Sequence, residues 1–229
     1  MKTALDKGAT LAEMAKGWFQ GRRSGGVKTP PDSPTADPAA GFFNPMKLSI
    51  GGYVGIDTTN YFKKTFSVEK IGEFTRQIGT RSLLFADYVL KSEDEGKETW
   101  VTVRAIPEDG RRGPVSCYLF VPHQEMGYDQ KTEKVFNGQK VVDNDLRKTF
   151  LACGKPHWSE ASVREASTEG VESLRIKYWD FIHEEKKGPN LHLLVEMDLT
   201  NKKGWIQTFL GTPCATEDIR PIAGHRKTF

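Results

Sequence analysis

The residues best suited to covalent chemistry are a cysteine and a histidine that lie close together in the chain, Cys153 and His157. A thiol beside an imidazole could act as a nucleophile, because the imidazole can take up the thiol proton. No local signature of a catalytic cysteine surrounds Cys153, and Pro156 prevents a simple helical turn from joining the two side chains. A Cys-dependent enzyme that uses this pair is therefore the third of three hypotheses.

Metal ligands and paired carboxylates are the next candidates. His123 and Glu125 would share one face of a strand, yet two ligands without a third do not define a metal site. Glu196 and Asp198 alternate with apolar residues along another strand, a pattern that predicts a solvent-facing position for both carboxylates. The sequence therefore predicts no catalytic residue, no metal site and no cofactor.

Anion and nucleic-acid binding have little support in the sequence. The glycines of GGYVG, residues 51–55, lack the Lys-Ser/Thr of a phosphate-binding loop and predict a bulge in a strand. The formal net charge is only +3, and the basic pairs are scattered along the chain. Because a dedicated nucleic-acid binder concentrates basic charge on one surface, no specific nucleic-acid partner is predicted.

Strands must position any site, since strand patterns dominate the chain from residue 46 onward. Apolar and strongly alternating segments occur at SLLFADYVL, ETWVTVRAI, SCYLFV, SLRIKYWDFIHEE, LHLLVEMDL and WIQTFLG. Polar turns between several of them indicate hairpins. The sequence predicts a mostly β fold (β-rich α+β), a single antiparallel sandwich or barrel-like domain over residues 46–229. Among its few short helices, the clearest candidate is DNDLRKTFLACG, residues 143–154.

The chain before this domain divides into an arm and a linker. Residues 1–23 have the pattern of an amphipathic helix. Its apolar face and basic end comprise Leu11, Met14, Trp18, Phe19, Arg22 and Arg23. Residues 24–45 contain five prolines and form a Pro/Gly-rich linker. Phe42 and Phe43 would fix the root of the arm on the folded domain.

The arm suggests a function, because a helix this short is marginal in isolation and its apolar face needs another surface. That surface could belong to a neighbouring subunit, to the chain's own domain, or to a membrane with anionic headgroups. The leading hypothesis is a non-enzymatic structural or interaction protein. Its arm would dock on protein subunits of a larger homo- or hetero-oligomeric assembly, for example a virion head or tail component.

Cysteine usage and the N-terminal residues bear on the compartment. Cys117, Cys153 and Cys214 are odd in number and widely spaced, which predicts free buried thiols in a reducing environment. The first residues lack the apolar region of a secretory signal, and no apolar run is long enough to span a membrane. We therefore expect a cytoplasmic protein, or part of a virion assembled in the cytoplasm.

The order PMKLSIGGYVGIDTT, IGEFTRQIGTRSLLFADYVL, ETWVTVRAI and SCYLFV resembles the YjfK-type family of uncharacterised bacterial proteins. Residues 46–57 are similar to that family's opening segment, and LHLLVEMDL resembles its closing strands. Residues 123–160 depart from the family pattern. The resemblance implies a β-rich cytosolic fold and, as the second hypothesis, an accessory protein that acts near a membrane. It carries over no catalytic residue.

Overall fold

A computed structural model describes residues 44–78, 81–94, 97–107, 115–168, 170–200 and 205–222. The fold is mostly β, as the sequence predicts, with one α-helix in these ranges. Helix α1 spans Gln130–Phe136. Strands β1 to β12 span Tyr53–Thr58, Tyr61–Ile78, Arg81–Asp94, Lys97–Pro107, Val115–Gly127, Lys140–Asp143, Lys148–Ala152, His157–Glu165, Glu172–His183, Leu191–Asp198, Trp205–Cys214 and Ile219–Ile222.

Eight of the strands close into an antiparallel barrel, which is the barrel-like alternative expected from the sequence. Two four-stranded meanders, β2–β5 and β8–β11, form the halves of the wall, and consecutive strands pair within each meander. Two seams join the halves. Strand β2 pairs with β8 over residues 70–76, and β5 pairs with β11 over residues 117–127. Closure leaves no free edge in the wall.

A small second layer covers the outer face of the first meander. The first part of β2 pairs with β1, and β1 pairs in turn with β12. This layer and residues 44–50 enclose an apolar core against the outer wall. Asn44 fixes the start of the segment, because its Oδ1 accepts hydrogen bonds from the Tyr88 hydroxyl at 2.7 Å and from the Leu48 amide at 3.0 Å.

Helix α1 and the β6–β7 hairpin cover the outer face of the second meander. Trp179 of β9 is buried beneath them, with Phe136 of the helix and Phe150 of β7. The helix begins after Asp129, whose carboxylate accepts a hydrogen bond from the Thr132 amide at 2.6 Å. Much of the barrel wall is thus buried on both faces, which explains why its strands carry apolar residues at consecutive positions.

The prediction of a helix at residues 143–154 is wrong. These residues form the end of β6, the turn that follows it and strand β7. Asp143 Oδ1 accepts a hydrogen bond from the Leu146 amide at 2.9 Å, which closes the turn locally. Arg147 completes the turn in the left-handed region, with φ of 54°. Phe150 of the segment is consequently buried against the barrel wall, whereas its neighbour Leu151 lies on the exposed face of the hairpin. Helix α1, which the sequence did not predict, lies shortly before it.

The bulge predicted at Gly51-Gly52 also falls elsewhere. Gly51 has φ of 72°, a value that favours glycine, and it lies in a turn before β1. Leu48 and Ile50 consequently belong to the covering segment and not to a strand. The irregularity of the β1–β2 ladder lies between Ile56 and Thr58.

Candidate functional site

A cavity of about 40 Å³ lies inside the barrel, and each of the eight wall strands contributes to its lining. The apolar part of the lining consists of Phe74, Val89, Phe120, Val163, Leu174, Ile176, Leu194 and Phe209. The charged part consists of Lys70, Asp87, Arg104 and Glu196. The interior of an eight-stranded barrel is either filled by side chains or holds one small ligand. An apolar chamber with a few polar groups at one place is the usual form of a small-molecule site.

Inward-facing glycines shape the wall of this cavity. Gly211 of β11 lies directly opposite Phe120 of β5, and a Cβ at Gly211 would overlap the Phe120 ring. A Cβ at Gly72 would likewise come within 2.6 Å of the Phe74 ring. The two rings therefore lie flat over bare backbone, a position that only glycine permits beneath them.

Arg104 is the centre of the charged part of the cavity. It lies directly opposite Asp87 in the β3–β4 ladder and binds that carboxylate through two hydrogen bonds, Nε to Oδ1 at 2.8 Å and Nη2 to Oδ2 at 2.7 Å. Its Nη2 also donates to Oε1 of Glu196, on β10 of the other meander, at 3.0 Å. These contacts join the two halves of the barrel across its interior.

Aromatic rings enclose the guanidinium of Arg104. Its Cζ lies 4.7 Å from the ring centroid of Phe85, 5.3 Å from that of Tyr178 and 5.6 Å from that of Phe120. Such cation–π contacts are stronger where water is excluded. Burial alone would lower the pKa of Arg104, but the charge and hydrogen bonds of Asp87 outweigh burial and hold that pKa well above its usual range. Arg104 is therefore a permanent cation.

Glu196 is the titratable group of the cavity. Burial raises the pKa of its carboxyl to about 7, with a further contribution from the nearby charge of Asp87, while Arg104 opposes the shift. Asp87 already occupies the guanidinium with two hydrogen bonds, so Glu196 receives only part of its charge. Glu196 therefore exchanges its proton near neutral pH.

Two polar side chains flank Glu196 in the sheet, and their polar atoms are unsatisfied. Tyr178 lies opposite it on β9, and Gln207 lies opposite it on β11. Within the part of the chain that the structure describes, the Tyr178 hydroxyl and both amide atoms of Gln207 are buried without a hydrogen-bond partner. Buried polar atoms of this kind are rare in proteins and call for an explanation.

A second cluster of polar side chains, Asp180, Arg76 and His157, lies next to the Arg104 cluster, and Tyr178 lies between the two. Oδ2 of Asp180 lies 3.4 Å from Nη1 of Arg76 and 3.7 Å from Nε2 of His157. The His157 ring stacks on Tyr178 with a centroid separation of 5.4 Å. Burial lowers the pKa of His157 to about 4, although Asp180 acts in the opposite direction. His157 is therefore neutral at physiological pH.

The predicted Cys153 and His157 both lie beside Asp180. The Cys153 amide donates to the Asp180 carbonyl at 2.8 Å, and the Cys153 side chain is exposed at the surface. Partial burial and the charge of Asp180 raise the pKa of the Cys153 thiol. A thiol of raised pKa is mostly protonated at neutral pH and is a weak nucleophile.

His123 and Glu125 point to different neighbours. His123 Nε2 lies 2.6 Å from Oδ2 of Asp143, whereas Glu125 lies opposite Gln207 in the β5–β11 ladder. In the described ranges, no group of three or more His, Cys, Asp or Glu side chains could hold a metal ion.

No helix in the described part of the chain has the length and apolar character of a membrane span.

The solvent-facing position predicted for Glu196 is wrong. The apolar face of β10, with Val195 at its centre, is buried as the sequence predicts. The opposite face lines the barrel interior, where Leu194 and Glu196 lie. Leu194 is the residue in the sequence that indicates this burial. It is an apolar residue at one of the alternating polar positions of β10, so the face that it shares with Glu196 is also expected to be buried. Asp198, at the end of β10, is only partly exposed, and its carboxylate accepts a hydrogen bond from the Thr200 amide at 2.8 Å.

The partner-binding residues predicted in the arm and linker lie outside the described residues. These are Leu11, Met14, Trp18, Phe19, Arg22, Arg23, Phe42 and Phe43. Comparison with known proteins finds no matching family model, no matching curated protein and no matching solved structure. The resemblance to the YjfK-type family therefore stays a prediction, and the function has to be argued from the site itself.

Proposed function

We propose that the barrel is a non-enzymatic binding module that holds one small molecule with an apolar body and an ammonium head. The observation that carries this proposal is the surroundings of Glu196. This buried carboxylate lies between Tyr178 and Gln207, whose buried polar atoms have no partner among the described residues. A ligand head at this place would supply the hydrogen bonds that the protein does not.

The charges favour a cation over an anion. Arg104 already donates to Asp87 and Glu196, so an anion placed between them would face two carboxylates. Lys70, the other cation of the lining, is paired with Glu165. Those two carboxylates share one guanidinium, and this leaves Glu196 short of positive charge. An ammonium head would form an ion pair with Glu196. It could also donate hydrogen bonds to the hydroxyl oxygen of Tyr178 and the amide oxygen of Gln207, since an ammonium group donates up to three hydrogen bonds.

The apolar body would rest on the aromatic part of the lining. Leu194 and Phe209 face each other across the β10–β11 ladder, directly beside the Glu196 position. The Phe120 ring closes the cavity from β5. The volume of about 40 Å³ is well below that of a typical small-molecule pocket, so it excludes an extended lipid and limits the ligand to a few non-hydrogen atoms unless lining side chains move.

Calorimetric titration of the full chain with n-butylamine, n-butanol and butyrate tests the proposal. We expect n-butylamine to bind more tightly than the other two. Its affinity should increase about tenfold between about pH 6 and about pH 8, because Glu196 loses its proton as the pH passes about 7. Tighter binding of butyrate, or no binding of any of the three compounds, would contradict the proposal.

Glu196→Gln is the decisive variant, since it removes the charge and keeps the shape. We expect it to abolish both the preference for the amine and the pH dependence of its binding. Glu160→Gln is the matched control, because Glu160 is exposed on β8 of the same barrel. This control should bind n-butylamine as the wild type does.

We also propose, on the sequence pattern of residues 1–23, that the arm docks on protein subunits of an assembly. One contact supports it: residues 44–48 are held to the barrel through Asn44 and Tyr88, so an arm would start from a fixed point. Deletion of residues 1–23 should leave the barrel folded, as measured by circular dichroism, and reduce the mass of the particle in solution. An unchanged mass in light scattering would exclude self-assembly through the arm.

A further inference from the structure

The three cysteines of the chain differ in their surroundings, and two of them face each other. Cys117 of β5 lies directly opposite Cys214 of β11, at the last pair of the ladder that closes one seam of the barrel. Cys117 is buried, Cys214 is partly buried, and both adjoin the apolar core on the outer face of the wall. Cys153 is exposed on another part of the molecule.

The register of this pair suits a covalent bond. Directly opposite residues of an antiparallel ladder have Cα atoms about 4.5 to 5.5 Å apart. A disulfide spans Cα separations of about 4.4 to 6.8 Å. The backbone therefore needs little or no movement to bring the two sulfur atoms into bonding distance.

We propose that Cys117 and Cys214 form a redox-active dithiol that a peroxide converts into a cross-strand disulfide. The site is separate from the barrel interior and does not depend on the ligand proposed above. The disulfide would link β5 to β11 and would therefore join the first meander to the second by a covalent bond.

The reaction has two steps and consumes one peroxide. The Cys117 thiolate attacks one oxygen of hydrogen peroxide, the O–O bond breaks, and the leaving hydroxide takes up the thiol proton as water, which leaves a sulfenic acid on Cys117. The Cys214 sulfur then attacks the Cys117 sulfur, the S–O bond breaks, and the hydroxide leaves as a second water with the Cys214 proton. The two sulfur atoms together lose two electrons, and the peroxide gains them.

The surroundings assign Cys117 as the attacking group. The Cys214 thiol donates a hydrogen bond to it and, against the effect of burial, lowers the pKa of Cys117, with help from Thr216. The same contact raises the pKa of Cys214, so this thiol keeps its proton until the second step. Hydrogen peroxide is small enough to reach a buried sulfur, whereas a bulky disulfide oxidant is not.

Peptide mapping of the wild-type full chain by mass spectrometry tests the proposal without any variant. The protein is treated with hydrogen peroxide, the remaining thiols are alkylated, and the digest is run without reductant. We expect a cross-linked peptide pair that contains Cys117 and Cys214 and separates on addition of dithiothreitol. Cys153 should remain an alkylated thiol under conditions in which the pair is oxidised.

Two results would overturn the proposal. One is oxidation of Cys153 while Cys117 and Cys214 stay as thiols, and the other is oxidation of Cys117 to a sulfinic acid with no cross-link. Cys153→Ser is the matched control and should form the cross-link as the wild type does, whereas Cys214→Ser should not. If Cys214→Ser fails to fold, the wild-type mapping still decides.

The cross-link should also change thermal stability. It would close a long loop between the two halves of the barrel, so the midpoint of thermal unfolding should rise by about 5 to 15 °C after oxidation and return to its starting value after reduction. A cross-linked protein with an unchanged or lower midpoint would show that the bond forms only in a distorted barrel, and would contradict the close register on which the proposal depends.

Discussion

Much of the barrel wall is buried on both faces, yet the two faces differ in chemistry. The outer faces pack against β1, β12, α1 and the β6–β7 hairpin through two apolar clusters. The inner face is rich in phenylalanine but also holds Arg104, Asp87 and Glu196, which are joined by hydrogen bonds. Apolar packing of the outer kind stabilises a fold through the area that it removes from water.

This difference indicates that the two faces serve different purposes. Buried ion pairs contribute little net stability, because the cost of removing charges from water offsets their attraction. The binding function proposed above would account for a charged group in the middle of an otherwise apolar barrel. The comparison predicts that changes on the outer face act on stability, whereas suitably matched changes on the inner face act on ligand binding.

The largest expected effect comes from the outer face. Phe150→Ala should lower the free energy of unfolding by about 4 kcal/mol, because it opens a cavity at a fully buried position beneath the hairpin. Leu151→Ala is the matched control, since Leu151 follows on the same strand and is 55% exposed. It should change stability by less than about 0.5 kcal/mol in urea denaturation. Similar losses for the two variants would contradict the assignment of this face.

Removal of the central cation should have the next largest effect. Arg104→Met leaves Asp87 and Glu196 buried without their partner, so we expect a loss of about 3 kcal/mol in urea denaturation.

The triple variant Asp87→Leu, Arg104→Met, Glu196→Gln separates this penalty from the value of the cluster itself. Because it removes all three charges together, its stability should lie within about 1 kcal/mol of the wild type, while binding of n-butylamine should be lost. A triple variant as unstable as Arg104→Met alone would mean that the cluster holds the barrel together, and the contrast between the faces would fail.

Acidification tests another inner residue, His157. The pKa of His157 is about 4 in the folded state and 6.5 in the unfolded chain, so the unfolded state binds more protons below about pH 6.5. His157 therefore contributes stability that is present above pH 6.5 and is lost as the pH falls through about 4, a loss of about 3 kcal/mol. His157→Gln should remove this loss from the pH profile of unfolding. His183→Gln, at the partly exposed end of β9, is the control and should retain it.

The smallest expected effect has the opposite sign and concerns Glu196. Its pKa is raised to about 7 on folding, so its contribution is complete below the ordinary value of 4.5 and is lost as the pH rises through about 7. Between about pH 6.5 and about pH 8 the free energy of unfolding should fall by about 1 kcal/mol. Glu196→Gln should flatten this part of the profile. A wild-type profile that rises over the same interval would contradict the buried, partly paired state of Glu196.

The strands of the barrel could be predicted from the sequence because their apolar content is high and polar turns separate them. The segment ETWVTVRAI, for example, lies within β4, and LHLLVEMDL covers β10. The short helix α1 could not be predicted, because only Phe136 of its seven residues is buried and its stability depends on the outer wall. Residues 143–154 predict a helix because the turn between β6 and β7 consists of polar residues that a helix also accepts.

The site could not be predicted for a different reason. Arg104 alternates with Val103 and Ala105, as an exposed residue of a half-buried strand would. Its burial follows from closure of the barrel, which places Glu196 beside it although the two lie far apart in the chain. Alternation shows that a strand has two faces, but it does not show what lies against each of them.

Strand β2 belongs to two parts of the molecule at once. Its first half pairs with β1 in the covering layer, and its second half pairs with β8 in the barrel seam. Because one continuous strand carries both ladders, we expect the covering layer and the barrel to unfold together, in a single transition. Backbone amides in both halves of this strand should then exchange their hydrogen with solvent at the same opening rate. No partly unfolded form that exposes the apolar core to aggregation should accumulate.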